Sequence, residues 1–276
     1  MRKKVLVRDV REVLEKIERV KQNGDEWITD FYMDENEVAR WISEGQVSLS
    51  DTDAALFLYR DRGTHLQLYW GFSSLASMAS QMREELASAE KKIITDFLSH
   101  GEDSAERKAL LACGFKSYMT FTRISKLNPH PEKKDIDPKW FARPEDLQGV
   151  ADILAETMDP DCEQIPDEGE LRKAIAEHRI LVIHDPESDE LAAMTMFDRR
   201  GAWLHWRFWG SRAKYRQKKL GLQLYEPYIE LNGDARRHVG WVRDNNPMRE
   251  VYHYFGFRPD GLKDEVFHYV PGQGMA

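Results

Sequence analysis

The sequence predicts two α/β domains in tandem, each built on a mixed sheet. Three observations point there. First, segments recur in the same order. AALFLYRDRG (54–63) is followed later by AAMTMFDRRG (192–201), HLQLYWG (65–71) by LHWRFWG (204–210), KIITDFL (92–98) by RHVGWVR (237–243), and ACGF (112–115) by YFGF (254–257). Four matches at nearly constant spacing mark an internal repeat. Second, KLNPHPEKKDIDPK (126–139) carries three prolines and many charges with few apolar residues, which is linker composition. It divides the chain into a first domain over 1–130, a linker over 131–138 and a second domain over 139–276. Third, helical and strand patterns alternate within each half, as expected of an α/β domain.

The elements follow in order. Helical periodicity covers 7–20 and 35–45 in the first half, 143–158 and 168–178 in the second. A strand pair then forms around a glycine turn: 54–60 and 65–71 turn at Arg62-Gly63, while 191–197 and 202–209 turn at Arg200-Gly201. Their aromatic and apolar residues predict burial on both faces. A helix comes next, SLASMASQMREELASA (74–89) or LGLQLYEPYIELNG (220–233), although Pro227 inside the latter removes a hydrogen bond and predicts a bend or a shorter helix. Each half closes with a strand (92–98; 237–243), a short helix (104–113; 247–255), a glycine suited to positive φ at the helix end, and a final strand pair.

Composition narrows the function. The chain has 276 residues, 41% hydrophobic and 32% charged, with a net charge of −8. An acidic chain of this kind is not expected to bind nucleic acid or a membrane surface generally. No run is long enough to span a bilayer, and the basic N-terminus lacks the apolar core of a signal peptide. Cys113 and Cys162 form neither a disulfide framework nor a metal set, so a cytoplasmic location and no metal are expected. One short segment departs from the acidic balance. Arg212, Lys214, Arg216, Lys218 and Lys219 cluster before Gly221 and an apolar helical pattern. A turn leading into a helix offers unpartnered N–H groups, and basic side chains there oppose the helix dipole unless an anion is present.

These residues carry a resemblance. Arg216-Gln217-Lys218-Lys219-Leu220-Gly221, preceded by Tyr215, is similar to the Arg/Gln-x-x-Gly-x-Gly/Ala loop of the GNAT superfamily of acetyl-CoA-dependent N-acyltransferases, with Lys219 in place of the first glycine. Asn245-Asn246-Pro247-Met248-Arg249-Glu250-Val251-Tyr252-His253-Tyr254-Phe255-Gly256-Phe257 resembles that family's Asn, helix, Tyr-x-x-x-Gly-Phe pattern. The first half has the element order without the chemistry: WGFSSLASMAS (70–80) is not basic, and SAERKALLACGF (104–115) has no tyrosine. The whole chain thus resembles a tandem GNAT protein with a degenerate N-terminal copy.

The resemblance implies acetyl-CoA as co-substrate and direct acetyl (acyl) transfer to a primary amine of a small molecule. It implies cofactor contacts at Ser211, Arg216, Gln217, Lys218, Lys219, Leu220, Gly221 and Asn246. Asn246 before Pro247 also reads as a helix cap. Backbone N–H groups near Phe208–Ser211 would meet the thioester oxygen. Tyr252 would protonate the leaving thiolate, with a core tyrosine as the alternative. By the period of two, His205 shares a face with Arg207 and Trp209, which makes it the candidate base; a structural histidine is the alternative, and Asp198 and Glu163 are weaker candidates. The acidic loop 159–170 stands where the family forms its acceptor pocket. Two further readings stay open: a non-catalytic acyl-CoA-binding or scaffold protein, and a tRNA-dependent aminoacyl transferase. A homodimer is also left open.

Overall fold

The computed structural model describes residues 4–31, 34–101, 103–128 and 132–272. Residues 129–131, where the first domain and the linker meet, lie outside the described residues, as do both chain ends. The chain divides into two compact units. Unit 1 comprises residues 1–121 and 261–276, and unit 2 comprises residues 122–260.

Unit 1 opens with β1 (Val5–Leu6), α1 (Val10–Gln22), β2 (Ile28–Thr29) and α2 (Glu35–Ser43). It continues with β3 (Val47–Asp51), β4 (Ala55–Asp61), β5 (Leu66–Phe72), α3 (Leu75–Leu86), β6 (Ile93–Ser99) and α4 (Ala105–Ala112). Each helix starts where a short polar side chain accepts a first-turn N–H: Asp9, Asp34, Ser74 and Ser104. The sheet runs β1-β3-β4-β5-β6. One face packs Val13, Ile17 and Trp41 of α1 and α2 on Leu56 and Leu58. The other packs Met78, Met82 and Leu110 of α3 and α4 on Phe57, Tyr59 and Trp70. Strand alternation thus sends consecutive β4 side chains into two cores, which is why β4 is apolar throughout.

The next strand, β7 (Lys116–Leu127), carries the chain into unit 2. There follow α5 (Leu147–Thr157), α6 (Glu168–Ala176), β8 (Ile180–His184), β9 (Leu191–Arg200), β10 (Trp203–Ser211), α7 (Leu220–Gln223), α8 (Tyr225–Leu231), β11 (Arg237–Arg243), α9 (Arg249–Tyr254) and β12 (Arg258–Tyr269). In unit 2 the order is β7-β11-β10-β9-β8. Helices α5 and α6 cover one face through Ile153, Leu154 and Leu171. Helices α7 to α9 cover the other, with Leu224 and Tyr228 buried and Tyr252 and Phe255 packed against them. Past residue 260 the chain returns to unit 1, where Lys263–Tyr269 pairs antiparallel with Ser99–Ile93 of β6.

The expected hairpins and helices are present, but each half closes with one long strand, β7 or β12, in place of the expected final strand pair, and four further strands appear: β1 and β2, and β3 and β8, which precede the hairpins and pair with β4 and β9. The single helix expected over 220–233 is corrected. It breaks at Leu224, so that Pro227 falls in the first turn of α8. A proline there gives up no intrahelical hydrogen bond.

Candidate active site

The geometry begins with β10 and β11. They pair in parallel only from Trp203↔Arg237 to Trp206↔Gly240. Beyond that register Arg207–Ser211 and Trp241–Arg243 part. On its other side β10 stays paired with β9 to its end, but with a bulge between Trp206 and Phe208. The bulge inserts Arg207 and reverses the alternation that follows.

This corrects the expected face. His205, Arg207 and Trp209 do not share one. Trp206 and Trp209 both pack on the α7–α9 side, their rings 4.8 Å apart, whereas Phe208 packs with Ile153 and Met194 on the α5–α6 side. Arg207 reaches Glu170 of α6 and, at 3.3 Å, Asp198. Asp198 stands opposite His205 on β9. Burial, reinforced by Arg207, lowers the His205 pKa to about 4, so the ring is neutral near pH 7. His205 lies in the still-paired part of β10, on the sheet face away from Tyr252.

Tyr252 stands on α9, half-buried, edge-on to Trp206 at 5.5 Å and to Trp209 at 5.8 Å. Burial raises its hydroxyl pKa, and the nearby Glu163 carboxylate raises it further. Glu163 belongs to the α5–α6 loop. It is bound by Arg243 of β11 and accepts the Asp159 N–H at 2.7 Å. Glu163 and Tyr252 come from elements on opposite faces of the sheet, and the carboxylate acts on the hydroxyl electrostatically. Tyr252 also lines a cleft of about 310 Å³ with Asn246, Arg249 and Phe257. Asn246 is a cap, accepting the Met248 N–H at 2.9 Å. His253 is exposed.

The basic turn lies at the open end of β10. A 3₁₀ segment over Ala213–Lys218 leads to Lys219, which adopts φ 52°, ψ 26°. This is the left-handed region, where a side chain costs about 1 kcal/mol over glycine. Gly221 is constrained for a different reason. A Cβ there would stand 2.6 Å from Ser211 Oγ. The Trp209 indole donates to the Gly221 carbonyl at 2.9 Å and holds the turn against β10.

Most of the cluster's charge is spent on neighbours. Arg212 pairs with Asp152 and Glu190, Lys214 with Glu190, and Lys218 with Asp185 at 2.8 Å. Among the described residues, Arg216 and Lys219 have no ion-pair partner; both are exposed, as is Gln217. The loop 159–170 is similarly committed: Glu163 binds Arg243, Glu170 binds Arg207, Glu168 binds Arg172, and Asp167 caps α6. Its acidity is therefore largely compensated within the fold. Cys162 is buried, and burial pushes its thiol up to about 12, so it is no nucleophile.

These donors fit an acyl-CoA. The open edge of β10 presents main-chain N–H groups, and the Leu220 and Gly221 amides, at the start of α7, have no intrahelical carbonyl to reach. Arg216 and Lys219 stand beside them with uncommitted charge. The Trp209 indole reaches from β10 to α9, where it meets Tyr252 and Phe255.

The same wedge exists in unit 1 and is filled. β5 and β6 pair in parallel only at Leu66↔Ile93 and Gln67↔Ile94. Farther along β5, β2 pairs antiparallel through Ile28↔Phe72 and Thr29↔Gly71. Trp27 lies so close that a Cβ on Gly71 would stand 2.1 Å from its ring. Asp30 accepts the Trp70 N–H at 2.5 Å and the Thr95 hydroxyl at 2.9 Å. Burial holds the Asp30 carboxyl pKa well above its usual value. The repeat aligns Trp70 with Trp209, but Trp70 is fully buried and its amide is claimed by the protein. No sequence motif announced this segment.

Among the described residues no cluster of His, Cys, Asp or Glu could hold a metal ion, and no helix is long and apolar enough to cross a membrane. No protein-family profile and no curated protein sequence matches the chain. Solved structures do match. A GCN5-related N-acetyltransferase from Sphaerobacter thermophilus superposes with TM-score 0.59 at 14% identity, covering 97% of this chain and 94% of its own. A tandem GNAT protein from the clavulanic acid biosynthesis pathway, solved without acetyl-CoA, gives 0.59 at 12% identity over 100% of both chains. A probable N-acyltransferase of unknown function from Enterococcus faecalis gives 0.59 at 8% identity, covering 98% of this chain and 72% of its own. Two units of like element order, each with a wedge between parallel strands, and full-length superposition on such a protein together give this chain the tandem GNAT fold.

Proposed function

We propose that unit 2 transfers an acyl group, in the simplest case acetyl, from acyl-CoA to a primary amine of a small molecule. The observation that carries this reading is the parting of β10 from β11 after Trp206, with Tyr252 on a helix of one sheet face and Glu163 in the loop joining the two helices of the other.

Acyl-CoA supplies the activated thioester. The chain's own groups do the rest. Main-chain N–H groups of the open β10 edge orient the thioester carbonyl and stabilise negative charge as it develops on the oxygen. The acceptor approaches from the α5–α6 side, where Glu163, fixed by Arg243, takes the amine proton through water. The amine nitrogen bonds to the acyl carbon as the carbon–sulfur bond breaks. Tyr252 donates its hydroxyl proton to the departing thiolate; its raised pKa keeps it protonated and able to donate at neutral pH. Glu163 takes the role first considered for His205, because His205 faces the paired part of the sheet. Arg216, Lys219 and the amides of Leu220 and Gly221 hold the diphosphate.

The test combines calorimetry with acetyl-CoA and thiol release across an amine panel. Tyr252→Phe is expected to lower kcat about 100-fold while acetyl-CoA affinity stays within about twofold. Equal turnover by Tyr252→Phe removes the proposed acid, and absence of acetyl-CoA binding removes the reaction. A second reading is favoured by the left-handed Lys219 and the ion-paired cluster. In it unit 2 binds acyl-CoA without turnover, and saturable binding with no product from any amine is its signature.

A further inference from the structure

A groove of about 510 Å³ lies in unit 2, apart from the wedge, between the segment 138–147 and the C-terminal end of α6. Its volume is in the range of small-molecule sites. Phe141, Leu147 and Ile175 give it an apolar wall, and among the described residues that line it Arg143, Arg172 and His178 are ionisable. In a chain of net charge −8, a concave apolar surface lined by three basic side chains is complementary to an anion with an apolar body.

His178 strengthens the case. It ends α6 at φ 56°, in the left-handed region. The backbone there closes in the usual helix-ending way, His178 N–H on the Ile175 carbonyl and Arg179 N–H on that of Ala174. Glycine fits such a position without strain, and histidine does not. The imidazole gains no polar partner among the described residues. It lies exposed, tilted on Phe141 with ring centroids 4.7 Å apart. Among the described residues Arg172 pairs with Glu168 of its own helix, and Arg143 with Glu145 and Asp146. These arginines are more than half exposed, and ion pairs of that kind are weak enough to exchange for a ligand carboxylate.

We propose that this groove binds a small amphipathic carboxylate. The apolar body lies on Phe141, Leu147 and Ile175, and the carboxylate is held by His178 with Arg172 and Arg143. The proposal is independent of acyl transfer and is read by binding alone.

Octanoate, 1-octanol and octyltrimethylammonium are titrated into the full chain by calorimetry. One saturable octanoate site is expected, about tenfold tighter than either control. His178→Gly is the decisive variant, because it removes the imidazole while relieving the backbone. It is expected to melt at the same or a higher temperature and to bind octanoate about fivefold more weakly. Arg172→Gln should weaken binding similarly. Equal affinity for the three probes, no saturation by octanoate, or a His178→Gly variant that binds as wild type overturns the proposal. So does sedimentation showing that the face pairs two copies in a dimer that octanoate leaves intact.

Discussion

Gly221 and Lys219 sit two residues apart in one turn and are constrained oppositely. Gly221 has an ordinary backbone and no room; Lys219 has room and an unfavourable backbone. Gly221→Ala is therefore expected to destabilise the chain by about 1 kcal/mol, since the new methyl meets Ser211 Oγ and makes that hydroxyl turn away. The double variant with Ser211→Ala should recover part of the loss, as chemical denaturation will show. Lys219→Gly should stabilise by about 0.5–1 kcal/mol yet weaken acetyl-CoA binding several-fold, because it relieves φ and removes a free cation. A second residue-level expectation concerns acid. Burial lowers the His238 pKa to about 4, below its ordinary value of 6.5. Above pH 6.5 the ring is neutral whether folded or not and has no effect. Between 6.5 and 4 the unfolded chain takes up a proton that the native state refuses, so stability falls as pH falls. The slope from this one group approaches about 1.4 kcal/mol per pH unit. Replacing it with phenylalanine, which keeps the edge contact to Tyr228, should flatten the urea midpoint over that window.

At the scale of elements, the two wedges predict different behaviour. In unit 2 the edge of β10 is open beyond Trp206. In unit 1 the equivalent edge of β5 is taken by β2, and Asp30 holds the Trp70 amide. Acetyl-CoA should therefore bind with a stoichiometry of one per chain, and a second calorimetric site would contradict this. Much of this level was legible. Period and turn chemistry placed the hairpins at Gly63 and Gly201, and the Tyr252 helix followed from Asn246-Pro247 and Gly256. The bulge was not legible, because Leu204–Phe208 alternates apolar and polar through it and only the pairing with β9 reveals that Arg207 is extra. The true balance of the basic cluster was hidden too. Asp152, Asp185 and Glu190 are distant in sequence and reach it only through the fold. The segment Trp27–Asp30 carries no pattern at all, since two paired residues are too few for periodicity to register.

The whole molecule is organised differently from the order of its sequence. The repeat and the proline-rich stretch marked two halves, but apolar alternation identifies a strand without naming its neighbour, so the return of the chain to unit 1 could not be read. Lys263–Tyr269 flanks β6, buries Val266 and Phe267, and places Glu265 on Arg107 at 2.6 Å. Truncation after residue 260 should therefore damage unit 1, at the opposite end of the sequence. Limited proteolysis should cut within residues 1–121 at enzyme concentrations that leave the full chain intact. Preferential cleavage within 122–260 would refute the assignment.

That return has a consequence for biosynthesis. A ribosome making this chain exposes the first hundred residues long before the segment that seals their sheet has been translated. Until residue 269 has left the exit tunnel, β6 presents a bare edge, the kind of surface that recruits stray strands. Closure of the N-terminal sheet thus waits on the synthesis of unit 2.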